Sequence, residues 1–598
     1  MRLWSLGVTV TTARRSAVRF PFVLVSAAVA AVAGVLFVGH STNDLYPRIL
    51  FSATLGIPLF IALTTWAERQ AGTARPHLIV GIAGTIALAG AFLAWPYWSD
   101  PVRMLRYLQL ALVCHLLVAF LPFVGRDEPN GFWQYNRILF LRFLTAVLYA
   151  GTLFVGIALA LLALDRLFGV HVQGEAYGRL WMIIAFVFHP WFFVGGIPED
   201  LDALEGRRDY PYGLRVFTQY VLLPLVALYV VILTAYLVKV IGTASWTSGW
   251  IGYLVSCVSV LGILAWLLVR PLEDLGEHRW VQAYTRWFYL AIVPSLAMLW
   301  LAIGKRIAQY GVTEPRYFLT ILSLWVAGIA VYFTVRRSRN IKLIPASLCV
   351  VAIVTFLGPW GAFRVSERSQ VHRLRTLFTR NEILRDGQVT PASREPTLQE
   401  RQAMSDVLRY LIETHGTGAI DPWFGDSLAR IDTIAHSTRP SNAATARTDV
   451  ILASLGIVSL PPSRGGSGYV TYSYGPFRPA IPLAGYDYAL TLSVRPDTVV
   501  LSDGLRITVP GDSGAISVVR GDSVLASLPL ATVFAEAAKR PPRPADRRAR
   551  GAAGEPLAVS AEGPGASLRL YVWWLNGRNL ANEIQLTGIT GELLVRVK

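Results

Sequence analysis

Three cysteines in 598 residues, none of them after Cys349, exclude a disulfide-stapled fold and leave the C-terminal part without a cysteine zinc site. Cys114, Cys257 and Cys349 all sit in apolar runs, where a thiol packs as a small hydrophobe. Charge is scarce as well, at 16% of residues, against about a quarter in ordinary soluble domains. Lysine accounts for only 5 of the 55 basic residues, a compositional bias without functional content. Long apolar runs are missing beyond residue 365. No metal-ligand spacing or cofactor motif stands out, so neither a metal nor a cofactor is expected.

What is present lies in front of that boundary. Eleven runs of mostly apolar residues occupy positions near 20–38, 49–66, 78–95, 107–124, 143–164, 180–196, 217–238, 250–269, 287–303, 317–334 and 343–361. A helix needs about 20 residues to cross roughly 30 Å of hydrocarbon. Trp66, Trp95, Tyr107, Trp250, Trp287, Tyr317 and Trp360 mark the run ends, where aromatic rings favour the headgroup layer. The fold class is therefore an α-helical polytopic membrane domain of about 11 transmembrane helices, followed by a soluble α+β, mostly β, C-terminal domain. The run 49–66 is the least secure, because Pro58 interrupts it and Arg48 opens it. Arg14, Arg15 and Arg19 precede a first run that is long enough to span, so it reads as an uncleaved anchor.

The net charge of +17 raises the question of nucleic acid, and its distribution argues against it. Residues 1–364 hold 29 Lys/Arg against 16 Asp/Glu, whereas the remainder holds 26 against 22. The excess sits in short loops. The N-terminal flank and the even-numbered loops carry 19 basic residues and the odd-numbered loops nine. The positive-inside rule then places the N-terminus in the cytoplasm of a cell with an inner membrane. Eleven spans put the C-terminal domain on the extracytoplasmic side. Expected partners are the lipid bilayer and an envelope protein that the C-terminal domain can bind.

Three domains follow from these patterns: 1–364, polytopic; 365–465, an amphipathic helix and helical connector; 466–598, a β-rich domain with a flexible Pro/Arg-rich loop at 540–554. In the connector, Val371, Leu374, Leu377 and Phe378 share one face of a basic helix over 365–384, and a second helix is expected over 398–414. Short strands are read at 468–474, 486–494, 498–501, 505–509, 516–519, 567–574 and 592–597.

Ionisable groups within membrane spans are costly, so each is a candidate for function. His115 and His189 fall inside runs and can form a proton relay or polar pocket; the bland alternative is a hydrogen bond to a neighbouring helix. Arg142, Asp165 and Lys239 lie near run ends and can reach the interface. The loop 195–211 holds Glu199, Asp200, Asp202, Glu205 and Asp209, which suit either a divalent cation or a short solvated helix over 199–205. Asp44 invites comparison with membrane glycosyltransferases of lipid-linked sugars, whose first outer loop is usually much longer. Gly511-Asp512-Ser513-Gly514 resembles the nucleophile turn of trypsin-like proteases, but only 77 residues separate Ser513 from His436, too few for the barrel between them. The segment 461–468 lacks the GK[ST] of a phosphate loop and reads as a linker.

The strings YPYGLRVFTQYVLLPL (210–225), TEPRYF (313–318), NIKLIP (340–345) and GPWGAF (358–363), with the segment 366–373, resemble the bacterial DUF4153 family. The resemblance is good over roughly 130–385. It implies a polytopic inner-membrane protein without an established activity and supplies no catalytic residues. In TEPRYF, Thr313 fits a helix N-cap, Pro315 the first turn and Tyr317 the interface, while Glu314 and Arg316 can contact a ligand near the surface. Three functions remain in view: an envelope scaffold or sensor, a transporter with an intramembrane polar path, and an enzyme acting on lipid-linked substrates.

Overall fold

The computed structural model describes residues 14–40, 44–70, 75–94, 101–243, 250–273, 279–336, 340–425, 443–460, 469–473, 481–492, 498–500, 504–508, 514–539, 557–580 and 583–598. His436, residues 511–513, the linker 461–468 and the loop 540–554 lie outside them.

The chain forms two compact units that divide after Val365. The first is helical. Its apolar helices are α1 Pro21–Gly39, α2 Leu45–Gln70, α3 Arg75–Ala94, α4 Pro101–Phe120, α5 Pro129–Phe168, α6 Gly174–Val194, α7 Tyr212–Thr243, α8 Trp250–Glu273, α9 Arg279–Ala291, α10 Val293–Tyr310, α11 Glu314–Arg336 and α12 Leu343–Phe356. Among the described residues nine helices are long and apolar enough to cross a membrane, and Leu78–Leu93 and Leu343–Phe356 are shorter apolar helices. Leucine, isoleucine and valine stand exposed along them, including Val25, Leu148, Leu159 and Val231, which in a water-soluble fold would be an aggregation surface. The protein is a multi-pass membrane protein.

Two helices differ from the sequence reading. Pro58 does not interrupt α2, which runs unbroken for 26 residues with Pro58 buried. Such prolines are tolerated in membrane helices because neighbours compensate the lost backbone bond, and α2 packs against α1, α3 and α4. Helix α5 is 40 residues long, about 60 Å at 1.5 Å per residue and so twice the hydrocarbon thickness. Its first turns are polar and carry Asn130, Gln134, Asn136 and Arg137. Helices α6 and α7 each contain one wide π turn, Ile184–Phe188 and Thr218–Leu222.

The second unit follows along α13, Ala362–Arg380, and has two cores. The first joins Leu374 and Phe378 of α13 to Met404, Leu408 and Leu411 of α14, Leu398–His415, and to Ile451 and Leu452 of Ala443–Ser454. Thr397 and Glu400 close a capping box at the start of α14. The second core is β-built. Numbered after a two-residue hairpin (β1 Leu384–Arg385, β2 Gln388–Val389), its strands are β3 Tyr469–Ser473, β4 Tyr488–Leu492, β5 Thr498–Val500, β6 Leu505–Thr508, β7 Ala515–Arg520, β8 Ser523–Pro529, β9 Leu557–Glu562, β10 Ala566–Leu580 and β11 Glu583–Val597. The larger sheet runs β3-β10-β11-β4 with β9 on β10, and the smaller β5-β6-β7-β8. Alternate residues turn inward: Leu505 and Ile507, Ile516 and Val518, Leu568, Leu570 and Val572, Leu593 and Val595.

Candidate functional site

Among the described residues, a polar cluster of the helical unit gathers where the N-terminal flank and the even-numbered loops meet. Arg19, just ahead of α1, grips Glu68 of α2 with two hydrogen bonds of 2.7 and 2.9 Å and donates to the carbonyls of Ile197 and Pro198 at 2.8 and 2.7 Å. Next to Glu68, Arg69 donates through one Nη2 to Glu128 at 2.7 Å and to Asp202 at 2.5 Å, and its guanidinium covers the Phe123 ring. Arg126 adds bonds to Asp202 at 3.2 Å and to the Arg69 carbonyl at 2.7 Å. Lys342, from the loop before α12, donates to the Arg126 carbonyl.

The polar start of α5 completes the arrangement. Pro129 opens the helix, and Asn130 then donates to three carbonyls of the facing loop, those of Leu204, Glu205 and Arg207. Glu205 accepts from the Gly131 amide at 2.6 Å. Arg137 holds Asp209 through its backbone and its carboxylate while lying over Trp133, which stacks on Tyr210. Trp133 and Tyr210 donate to the Leu267 and Leu268 carbonyls of α8. Six chain segments are thereby tied together: the N-terminal flank, the end of α2, residues 126–137, the loop 195–211, the end of α8 and the loop before α12. A cleft of about 370 Å³ opens beside them, lined by Glu68, Arg69, Gln70, Glu199, Asp200, Leu201 and Asp202.

The loop 195–211 thus owes its shape to arginines. Instead of a helix over 199–205 it makes one tight 3₁₀ turn, Asp202–Leu204. No group of three or more metal-type ligands occurs among the described residues, because Asp202, Glu205 and Asp209 bond to separate partners. The Arg69 hydrogen bond holds the Asp202 carboxyl below the usual carboxylate range, aided by the charges of Arg69 and Arg126. A depressed folded-state value stabilises the protein above the unfolded value near 4 and is lost as pH falls through the folded one. Asp202 is largely exposed, so the contribution stays below about 1 kcal/mol. The thermal midpoint in detergent is expected to hold between pH 7 and 5 and fall below about pH 4, with a shallower fall for Asp202→Asn.

The residues singled out in the sequence are distributed differently. His115 is on an exposed face of α4, its Nδ1 bonded to the Ala111 carbonyl of its own helix at 2.7 Å. His189 follows the π turn of α6, meets the Phe143 ring edge-on and has a buried Nε2 without a hydrogen-bond partner among the described residues. Arg142 lies at that same α5–α6 contact, where it donates twice to the Phe192 carbonyl and covers the Phe192 ring at 3.8 Å. The structure therefore brings Arg142 and His189 to one helix pair, while His115 belongs to a helix that packs on α2 and α12. Asp165 accepts from the Val172 amide, Lys239 is exposed, and Glu314 is buried in the first turn of α11. Arg316 bonds the Gly311 carbonyl at the end of α10 and covers Tyr310.

Arg142 also explains a glycine. A Cβ at Gly196 would stand 2.2 Å from the Arg142 Nε. Gly196→Ala is expected to expel Arg142 from the Phe192 carbonyl and cost about 1–3 kcal/mol, the range for a lost charge-assisted hydrogen bond. Gly195→Ala, which meets Ser16 at 3.2 Å, should cost less in the same thermal unfolding assay.

Arg19, Glu68, Arg126 and Glu128 had not stood out in the sequence as site residues. The signal available there was their position: each flanks a run end on the side that carries the basic excess.

Comparison with known proteins places the chain. An uncharacterized protein of Pasteurella multocida (strain Pm70) is 24% identical over 318 residues, 53% of each chain, so the match spans about half the length of that relative. No solved structure matches. The family model described as "Domain of unknown function (DUF4153)" matches residues 27–376, from α1 into α13, and the chain belongs to the DUF4153 family.

Proposed function

We propose that the protein is an inner-membrane scaffold or sensor whose C-terminal unit is extracytoplasmic and binds an envelope partner. The N-terminus and the arginine-tied face are cytoplasmic in this reading. The observation that carries it is where the polar groups are engaged. Arginines and carboxylates of the helical unit bond to one another and to loop carbonyls across one face, an arrangement that locks helices together. The second unit has its own helical and β cores, as a binding module requires. The 19-to-nine asymmetry of basic residues supports the orientation.

The buried Nε2 of His189, which has no hydrogen-bond partner among the described residues, and the π turns of α6 and α7 favour a second reading, a transporter with an intramembrane polar path. Deletion of residues 386–598 and the pair His115→Ala and His189→Ala separate the two in a strain that depends on the protein. The scaffold reading expects the deletion to abolish complementation and both histidine variants to support growth. Loss of complementation by a histidine variant that still accumulates in the membrane favours transport.

A further inference from the structure

Helix α13 presents two opposed faces. Ser366, Gln370, Leu374 and Phe378 are buried, whereas Arg364, Arg368, His372, Arg375, Thr376, Thr379 and Arg380 are exposed. At about 100° per residue Arg364, Arg368, His372, Arg375 and Thr379 fall within an arc of roughly 80°, with Thr376 and Arg380 beyond its edge. Glu367, the helix's single acid, lies outside that arc, about 60° from Arg364 at its edge. The stripe begins close to lipid along the chain: α12 ends at Phe356, and exposed Trp360 accepts through its carbonyl from the Tyr317 hydroxyl at 2.7 Å. Tyr and Trp favour the headgroup layer, and Arg364 follows Trp360 by four residues.

We propose that this stripe binds the anionic phospholipid headgroups of the membrane that the apolar helices cross. Basic residues directly beside a membrane helix are drawn to an acidic lipid surface, about five-fold per Lys or Arg, within a Debye length of about 10 Å. Arginine suits this because its planar donor fork matches phosphate and its stem can extend along the interface. The stacking of Arg375 over Trp423 holds one guanidinium at the helix surface. The inference is independent of which leaflet is involved, and so of the orientation proposed above.

The full chain, with Cys114, Cys257 and Cys349 replaced by Ala and a spin label on Thr379→Cys, tests it in vesicles of phosphatidylcholine with or without about 30% phosphatidylglycerol. The expected result is an at least three-fold lower collision rate with a water-soluble relaxant in the anionic vesicles, reversed by about 0.5 M NaCl and absent in R364Q/R368Q/R375Q. Equal accessibility in both vesicles overturns the proposal. So does protection by soluble polyglutamate with none from phosphatidylglycerol, which identifies an acidic protein as the partner. Should the triple variant fail to fold, the salt titration of the unsubstituted helix decides.

Discussion

Gly591→Ala is expected to unfold the β core while leaving the helical unit in the membrane. A Cβ at Gly591 would lie 2.2 Å from the Tyr571 carbonyl oxygen and 3.3 Å from the Val572 Cα. Both belong to the paired strand, where Val572 faces Gly591 beside a bulge. Backbone cannot swing aside as a side chain does. The two longest strands must part, and with them the pairing of β4 to Gly591 through Leu492. Overpacking usually costs about 1–3 kcal/mol, and this geometry belongs above that range, a large share of a domain's 5–15 kcal/mol. Gly565→Ala is the control, because its Cβ meets the Leu525 side chain, which can move. Limited proteolysis of membranes should release fragments of residues 466–598 from Gly591→Ala and leave Gly565→Ala resistant. Equal resistance of the two variants contradicts the account.

The second large effect belongs to Arg69→Met. The Arg69 side chain is only 3% exposed, and its loss leaves Glu128 with Arg126 at 3.5 Å and Asp202 with Arg126 at 3.2 Å. Removing one member of a buried pair costs about 3–5 kcal/mol, because the other charge stays behind. Glu128 is partly exposed and keeps a weaker partner, so about 3 kcal/mol is expected here. The methionine retains the packing on Phe123, which isolates the charge. Thermal unfolding in detergent should show a clear drop for Arg69→Met, and Arg69→Met/Glu128→Gln should recover much of it. A single variant within about 0.5 kcal/mol of the natural protein would mean that the network contributes no more than surface pairs do.

These effects show where sequence reading stops. The membrane unit was legible because a bilayer imposes a length: each apolar run had to approach 20 residues, and the helices observed follow from that. The start of α5 was not legible. Asn130, Gln134, Asn136 and Arg137 look like a loop, yet they are helical because their side chains reach the carbonyls of Arg207, Asp209 and Ala119. The charged face was hidden for a related reason. Arg19 and Glu68 are 49 residues apart, and Arg69 and Asp202 are 133 apart, so no local spacing announces them. In the β unit the alternation of Leu568, Leu570 and Val572 is plain. The continuation of β10 through Asn576-Gly577 resembles a turn, and only pairing with β3 and β11 makes it strand. The family match ends at residue 376, so the β unit stands outside the matched region.

The proposed scaffold function requires the arginine-tied loops to face the cytoplasm and the β unit to be extracytoplasmic. Labelling with a membrane-impermeant maleimide tests this directly, using Asp127→Cys and Ser523→Cys, both exposed positions, in chains whose native cysteines are replaced by Ala. Cysteine at 523 is predicted to label in intact spheroplasts and cysteine at 127 only after permeabilisation. Labelling of both before permeabilisation, or of neither, would contradict it.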